Sequence, residues 1–169
     1  MANSLFADGA AAVILSSAVD KTAAPLCGLE CFSSYLAPAT RELISWRIGD
    51  KGFQMGLNLE VPQALGPLLP DFIGALLPNG AGARINAWAV HPGGRAILDT
   101  VQRVIGLGEA HLSASRAVLR QYGNMSSPTV LFVLDRLLAE QPQADGVALS
   151  FGPGLSLEGM RWRTRTTYG

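Results

Sequence analysis

Charge is scarce in this chain. Its 13 Lys and Arg and 13 Asp and Glu together make up 15% of 169 residues and cancel to a net charge of zero, where a typical soluble domain is about 25% charged. That balance excludes a polybasic nucleic-acid surface and an acidic solvating tail. Cysteine is scarcer still: two residues cannot staple a fold, so a secreted disulfide framework is not expected and a reducing compartment fits better. No basic segment precedes an apolar stretch at the N-terminus, and no run approaches the roughly 18 apolar residues of a membrane helix. A cytoplasmic chain without a targeting signal is expected, with neither nucleic acid nor membrane as partner.

Apolar residues and glycine are plentiful, at 49% and 19 residues. One compact domain follows from the length. Asp8-Gly9 opens the continuous apolar run Ala10 to Leu15, which reads as a strand buried on both faces. Such a strand sits centrally, so its neighbours are expected in a preceding segment. Trp46-Arg47-Ile48 and Phe53 to Leu59 flank Gly49-Asp50-Lys51-Gly52 as a hairpin or bent strand pair. From Leu65, apolar residues recur through Leu77 at helical spacing, with Pro67 and Pro70 confined to the first turns and Asn79-Gly80-Ala81-Gly82 as the stop.

Ile85 to Val90 reads as a buried strand, followed by the turn His91-Pro92-Gly93-Gly94 and a helix with Ile97, Leu98, Val101, Val104 and Ile105 on one face. Leu112 to Tyr122 is a further helix. Ser127-Pro128 forms an N-cap and first-position pair for a helix from Thr129 to Leu138 that is apolar nearly all round and expected to be buried on every side. Val147 to Phe151 and Leu155 onward form two strands about the tight turn Gly152-Pro153-Gly154, with Gly159 as a bulge where the alternation changes phase. Alternating strands and helices make the class α/β.

Two turns place a chemically capable side chain between a buried element and a helix N-terminus: His91 and Asn124. His91 follows a buried strand at its carboxyl end, where open α/β sheets present ligands. Gly93 and Gly94 would let a thioester or phosphate approach the backbone. No persuasive nucleophile accompanies them. Cys27 and Cys31 have neither zinc spacing nor a nearby histidine, and Ser126 and Ser127 lack the G-x-S-x-G elbow and read as caps. Arg161, Arg163 and Arg165 alternate on the last strand as a solvated face.

The strings Trp88-Ala89-Val90-His91-Pro92-Gly93-Gly94, Tyr122-Gly123-Asn124-Met125-Ser126-Ser127, Phe151-Gly152-Pro153-Gly154-Leu155 and Leu5-Phe6-Ala7-Asp8-Gly9-Ala10-Ala11-Ala12 together resemble the C-terminal part of a chalcone/stilbene synthase, a type III polyketide synthase. The resemblance implies the thiolase fold: the C-terminal half, a mixed sheet layered with helices, plus one strand of the N-terminal half. It also implies a Cys-His-Asn triad, to which His91 and Asn124 correspond while the cysteine lies in an absent first half. Acyl-CoA and malonyl-CoA are then the substrates, and no metal or redox cofactor is required. By the same resemblance Phe6 matches a gatekeeper and Met55 falls where plant members place a second one. Gly93, Gly94 and Ala96 match positions along the pantetheine tunnel, Ser126 a cavity-lining one, and Phe151, Gly152, Pro153 and Gly154 the cyclisation pocket, where Ser150 replaces the usual first glycine. These groups are expected to line one cavity beside His91 and Asn124.

Two other readings remain open at this point: half of a fatty-acid-type β-ketoacyl synthase, and a stand-alone non-catalytic binding module of the same fold. In the leading reading the isolated chain is inactive. It associates as a dimer or higher through an apolar face that includes Val130 to Leu134, exposed large apolar patches being drivers of association.

Overall fold

The computed structural model describes residues 4–17, 27–77 and 85–164. Four strands form one mixed sheet: β1 (Cys27–Leu36), β4 (Ala87–Val90), β5 (Asp145–Gly152) and β6 (Ser156–Thr164), in the order β1-β6-β5-β4. β4 and β5 are parallel, while β6 runs antiparallel to both β5 and β1. β2 (Ile44–Gly49) and β3 (Gly52–Leu57) make a separate two-stranded hairpin closed by Asp50-Lys51, with Gly49 opposite Gly52. The hairpin expected from the sequence is therefore present.

Helices cover both faces of the sheet. α1 (Val61–Leu65), α2 (Leu69–Leu76) and α3 (Arg95–Ile105) contribute Leu65, Leu69, Phe72, Leu76, Leu98 and Val101 to one core, with Trp88, Val90, Val147, Leu149 and Leu157 from the strands. α4 (Ser113–Tyr122) and α5 (Pro128–Glu140) contribute Val118, Val133 and Leu137 to the other, with Ala87, Ala89, Ala148 and Trp162. Alternate residues of one strand thus enter opposite cores, as the period of two requires. The layered α/β class read from the sequence holds, with a thiolase-like arrangement of mixed sheet and helices.

This two-sided cover corrects the reading of Gly159. The β5–β6 register is unbroken from Gly152 opposite Ser156 to Asp145 opposite Arg163, so Gly159 is no bulge. Leu157 is buried in the first core and Trp162 in the second, and the change of phase marks burial passing from one face to the other. Gly159 is small because the first core closes over it: a Cβ there would lie 2.9 Å from both Leu76 and Phe72 side-chain carbons. The register shift lies instead on β1, between Leu29 and Cys31. The bulge turns Cys27 toward the Trp162 core and Cys31 toward the Leu76 core, although residues four apart on an unbroken strand share a face.

Three further expectations are corrected. Ala10 to Leu15 is not a strand. Val13 and Ile14 are 58% and 96% exposed, because a strand buried on both faces needs ladder partners and no described strand flanks this segment. The helix expected from Leu65 starts at Val61 and is divided by a 3₁₀ turn at Gly66–Leu68, each piece carrying a proline at its first or second position. A proline supplies no N–H to continue the preceding helix. Its expected stop at 79–82 lies outside the described residues. Finally, α5 buries only the stripe Thr129, Val133 and Leu137, with Val130, Leu131, Phe132 and Leu134 half-buried. The strongly exposed apolar side chains lie elsewhere: Ile14, Ile48 and Phe53 on the segment after Gly9 and the hairpin, and Phe32 on β1. No helix among the described residues is long and apolar enough to cross a membrane.

Candidate active site

β4 is buried at every residue, and its parallel ladder with β5 continues one step further, where the His91 N–H donates to the Leu149 carbonyl at 2.7 Å. The chain then turns, with the Gly93 N–H donating to the His91 carbonyl at 2.9 Å, and α3 begins at Arg95. α3 ends on Gly106, whose left-handed φ of 76° ends the helix without strain. His91 therefore sits at the carboxyl end of a parallel strand and ahead of a helix. Its side chain is buried, and burial pushes its pKa down to about 4. The ring is neutral at physiological pH, so one nitrogen donates and the other accepts.

Asn124 lies between α4 and α5 and is tied down on every side. Its N–H donates to the Leu5 carbonyl and its carbonyl accepts from the Ala7 N–H, both at 2.9 Å, which makes Phe6 its parallel bridge partner. This backbone approach needs glycine at 123: φ is +73°, and a Cβ would lie 3.1 Å from the Leu5 carbonyl oxygen. The Asn124 side-chain Oδ1 accepts from the Ser126 N–H at 2.8 Å, while Nδ2 donates to the Gly93 carbonyl at 3.1 Å. The second Nδ2 hydrogen is left to serve the cleft.

Gly93 links the two polar groups. Its carbonyl holds the Asn124 amide, and a Cβ built on it would lie 3.6 Å from the His91 ring. No described residue hydrogen-bonds the His91 imidazole. A neutral imidazole and a carboxamide, each with a free hydrogen-bonding group and both around one glycine, suit stabilisation of an oxyanion or enolate.

The other expected residues divide. Phe6 pairs with Asn124, and the Leu5 side chain approaches within 3.7 Å of a Cβ position on Gly94, so this segment packs along both turns. Ala96 and Ser126 are exposed beside them. Ser126 has a φ of +63°, a left-handed conformation that costs a non-glycine residue about 1–2 kcal/mol. Met55 lies on β3 opposite Trp46, on the hairpin anchored by the Gly154 N–H to the Ile44 carbonyl at 3.2 Å. Met55 stands two residues further along the hairpin from that anchor, while Phe151 packs against the first core. A groove of ≈ 850 Å³ between α3, α4 and α5, lined by Asp99, Arg116, Arg136 and Glu140 among others, contains none of the expected residues.

The cysteines are half-buried. Burial pushes the Cys27 thiol up, away from the reactive thiolate, and Cys31 Sγ donates to the Leu76 carbonyl at 3.4 Å. The expected solvated arginine face is instead an ion-pair network. Arg161 and Arg163 both bond Asp145 at 2.8 Å, and both reach Glu30 at the β1 bulge, while Arg165 lies outside the described residues. Ser127 makes no side-chain cap. The side-chain bond at this helix start is instead that of Thr129, whose Oγ1 donates to the Ser126 carbonyl at 2.7 Å. The Gly93 carbonyl and Thr129 were not singled out from the sequence, although Asn-x-Ser is a recognisable Asx-turn pattern.

A layered α/β domain with a His and an Asn presented from neighbouring turns defines the class. Residues 28–166 match the family described as chalcone and stilbene synthases, C-terminal domain, and the chain belongs to that family. It is 34% identical to type III polyketide synthase C of Arabidopsis thaliana over 94% of this chain and 44% of the relative. It is 37% identical to type III polyketide synthase pspB of Penicillium soppii over 94% and 45%. Among solved structures, PKS-I from the brown alga Ectocarpus siliculosus superimposes with a TM-score of 0.76 at 32% identity, covering 82% of this chain and 40% of that one. The C-terminal type III polyketide synthase domain of Steely1 from Dictyostelium gives 0.78 at 27% identity, covering 84% and 41%. The chain spans less than half the length of these relatives.

Proposed function

We propose that this chain is the portion of a type III polyketide synthase that supplies the His and Asn of a Cys-His-Asn triad, acting on acyl-CoA and malonyl-CoA. The observation that carries the reading is the bond from Asn124 Nδ2 to the Gly93 carbonyl, which sets the amide beside the turn bearing His91. In the reaction a cysteine of a separate segment takes the acyl group from the starter thioester, releasing free CoA. Malonyl-CoA then loses CO₂, and the electron pair left behind is held as an enolate whose oxygen accepts hydrogen bonds from His91 and Asn124. The enolate carbon attacks the acyl-cysteine, forming the carbon–carbon bond and expelling the thiolate. CoA thioesters serve as substrates in the cytoplasm, and no metal or further cofactor takes part. The working assembly is a homodimer in which Phe6, Met55, Ala96, Ser126 and the Phe151-to-Gly154 turn border the acyl cavity.

The test joins this chain to a type III polyketide synthase N-terminal half carrying the nucleophilic cysteine and follows CO₂ release from malonyl-CoA. Product is expected from the joined protein and none from the chain alone. Asn124→Leu and His91→Leu should each lower decarboxylation by about 10²–10³. Polyketide formation by the isolated chain, or a strict requirement for malonyl-carrier-protein, would overturn the reading.

A further inference from the structure

The Gly93 carbonyl holds one end of the Asn124 amide; the other end is held through a chain of bonds that leads to a residue the amide does not touch. Oδ1 is held by the Ser126 N–H at 2.8 Å, and this fixes which end of the carboxamide presents hydrogens. Ser126 itself sits at a left-handed φ of +63°, a conformation that nothing in the serine itself favours. Two bonds hold it there. Thr129 N–H and Thr129 Oγ1 both donate to the Ser126 carbonyl, at 3.0 and 2.7 Å. Thr129 is completely buried at the start of α5, so its hydroxyl has no water to bond instead, and the Ser126 carbonyl is its partner.

We propose that Thr129 is a positioning residue for the condensing reaction: its hydroxyl locks the Ser126 turn and thereby aims the Asn124 amide hydrogens at the enolate oxygen. The proposal rests on the reading of Asn124 given above. Without the hydroxyl the Ser126 carbonyl keeps a single donor. The turn then relaxes toward right-handed backbone, and, because α5 behind it is fixed by buried Thr129, the Met125–Ser126 peptide that carries the N–H turns away from Oδ1. The amide then keeps only its Nδ2 bond to the Gly93 carbonyl, and its second hydrogen is no longer held on the line to the enolate oxygen.

The chain itself allows a test that does not depend on activity. In ¹⁵N spectra of the 169-residue protein, Thr129→Val should speed exchange of the Ser126 amide about tenfold and shift the paired Asn124 side-chain resonances, while amides of β4 and β5 keep their protection. Thr129→Ser, which retains the hydroxyl, should leave both unchanged. Thr129→Val made in a Ser126→Gly background should have less than about a twofold effect, because glycine adopts the left-handed turn without help. An equally protected Ser126 amide in Thr129→Val overturns the proposal, whatever the enzyme does.

The second arm uses the protein joined to its cysteine-bearing half. Thr129→Val should lower the kcat for malonyl-CoA decarboxylation about tenfold with KM unchanged. This loss should shrink below twofold in the Ser126→Gly background. A general loss of packing would instead persist in that background, and that result overturns the proposal. Failure of the joined wild-type protein to decarboxylate malonyl-CoA would refute the polyketide reading and the catalytic purpose of the turn together, while the spectra alone decide whether Thr129 sets it.

Discussion

Burial of His91 should make the stability of this chain depend on pH between the ordinary imidazole pKa and the lowered one. The imidazole has an ordinary pKa of 6.5, and burial lowers it to about 4 in the folded chain. Between those values the unfolded chain binds a proton that the folded chain refuses, so stability rises with pH across the window and falls as the solution is acidified. At pH 4.5 the unfolded imidazole is about 99% protonated and the folded one about a quarter, and the difference removes about 2.5 kcal/mol relative to pH 7. That is a large part of the 5–15 kcal/mol typical of a whole domain.

Urea unfolding of the wild type and of His91→Gln at pH 7, 6, 5 and 4.5 measures this contribution. Glutamine keeps the backbone bond from residue 91 to Leu149 but carries no titratable group, so the wild type should lose about 2.5 kcal/mol more than the variant over the series. Asp145 does not blur the comparison. Burial alone would raise its pKa, but the hydrogen bonds and charges of Arg161 and Arg163 outweigh burial and hold it below the ordinary carboxylate value of 3.8. Its stabilising effect is therefore present at neutral pH and lost only below the window used for His91. Parallel curves for wild type and variant would refute the claim that burial keeps the imidazole neutral.

Gly146→Ala should cost about 2–3 kcal/mol, seen as a lower urea midpoint, because its Cβ would run into the ring of the fully buried Trp162; an unchanged midpoint would show that the ring can move aside. Asp145→Asn should cost about 1–2 kcal/mol at pH 7 by leaving Arg161, only 16% exposed, short of its main partner, and less in 1 M salt; a change below about 0.3 kcal/mol would mean Glu30 suffices. In the joined enzyme, Met55→Phe and Met55→Ala should shift product length or starter preference in opposite directions, read by mass spectrometry of the products. Identical products across several acyl-CoA starters would reduce Met55 to packing against Trp46.

What could be read in the sequence was what depends on neighbours along the chain. The hairpin about Asp50-Lys51, the apolar face of α3 and the two turns carrying His91 and Asn124 all follow from local spacing and turn chemistry. β1 was missed because its residues alternate only up to the bulge at Glu30 and then change faces, so neither a strand nor a helix period runs through it. Gly159 was misread because a phase change looks the same whether the backbone gains a residue or the burying layer changes sides. Only the partner strands distinguish the two, and they show an unbroken register.

The same dependence explains why the apolar run Ala10 to Leu15 is exposed while the segment just before it is well held. Leu5 and Ala7 bond Asn124 through their backbone, and Gly9 has no room for a Cβ against Met125. These contacts come from a turn within this chain, so they form here. From Ala10 onward the side chains point to no described strand, and a continuous apolar run satisfies neither its backbone groups nor its burial by itself. If the run is covered by strands of a cysteine-bearing half, joining that half should bury Val13, Ile14 and Leu15, now 58%, 96% and 74% exposed, and protect their amides from hydrogen exchange. Amides that exchange as fast in the joined protein as in the chain alone would show that the run is a surface in both. Leu5 and Ala7 should be protected in either case, because Asn124 already holds them.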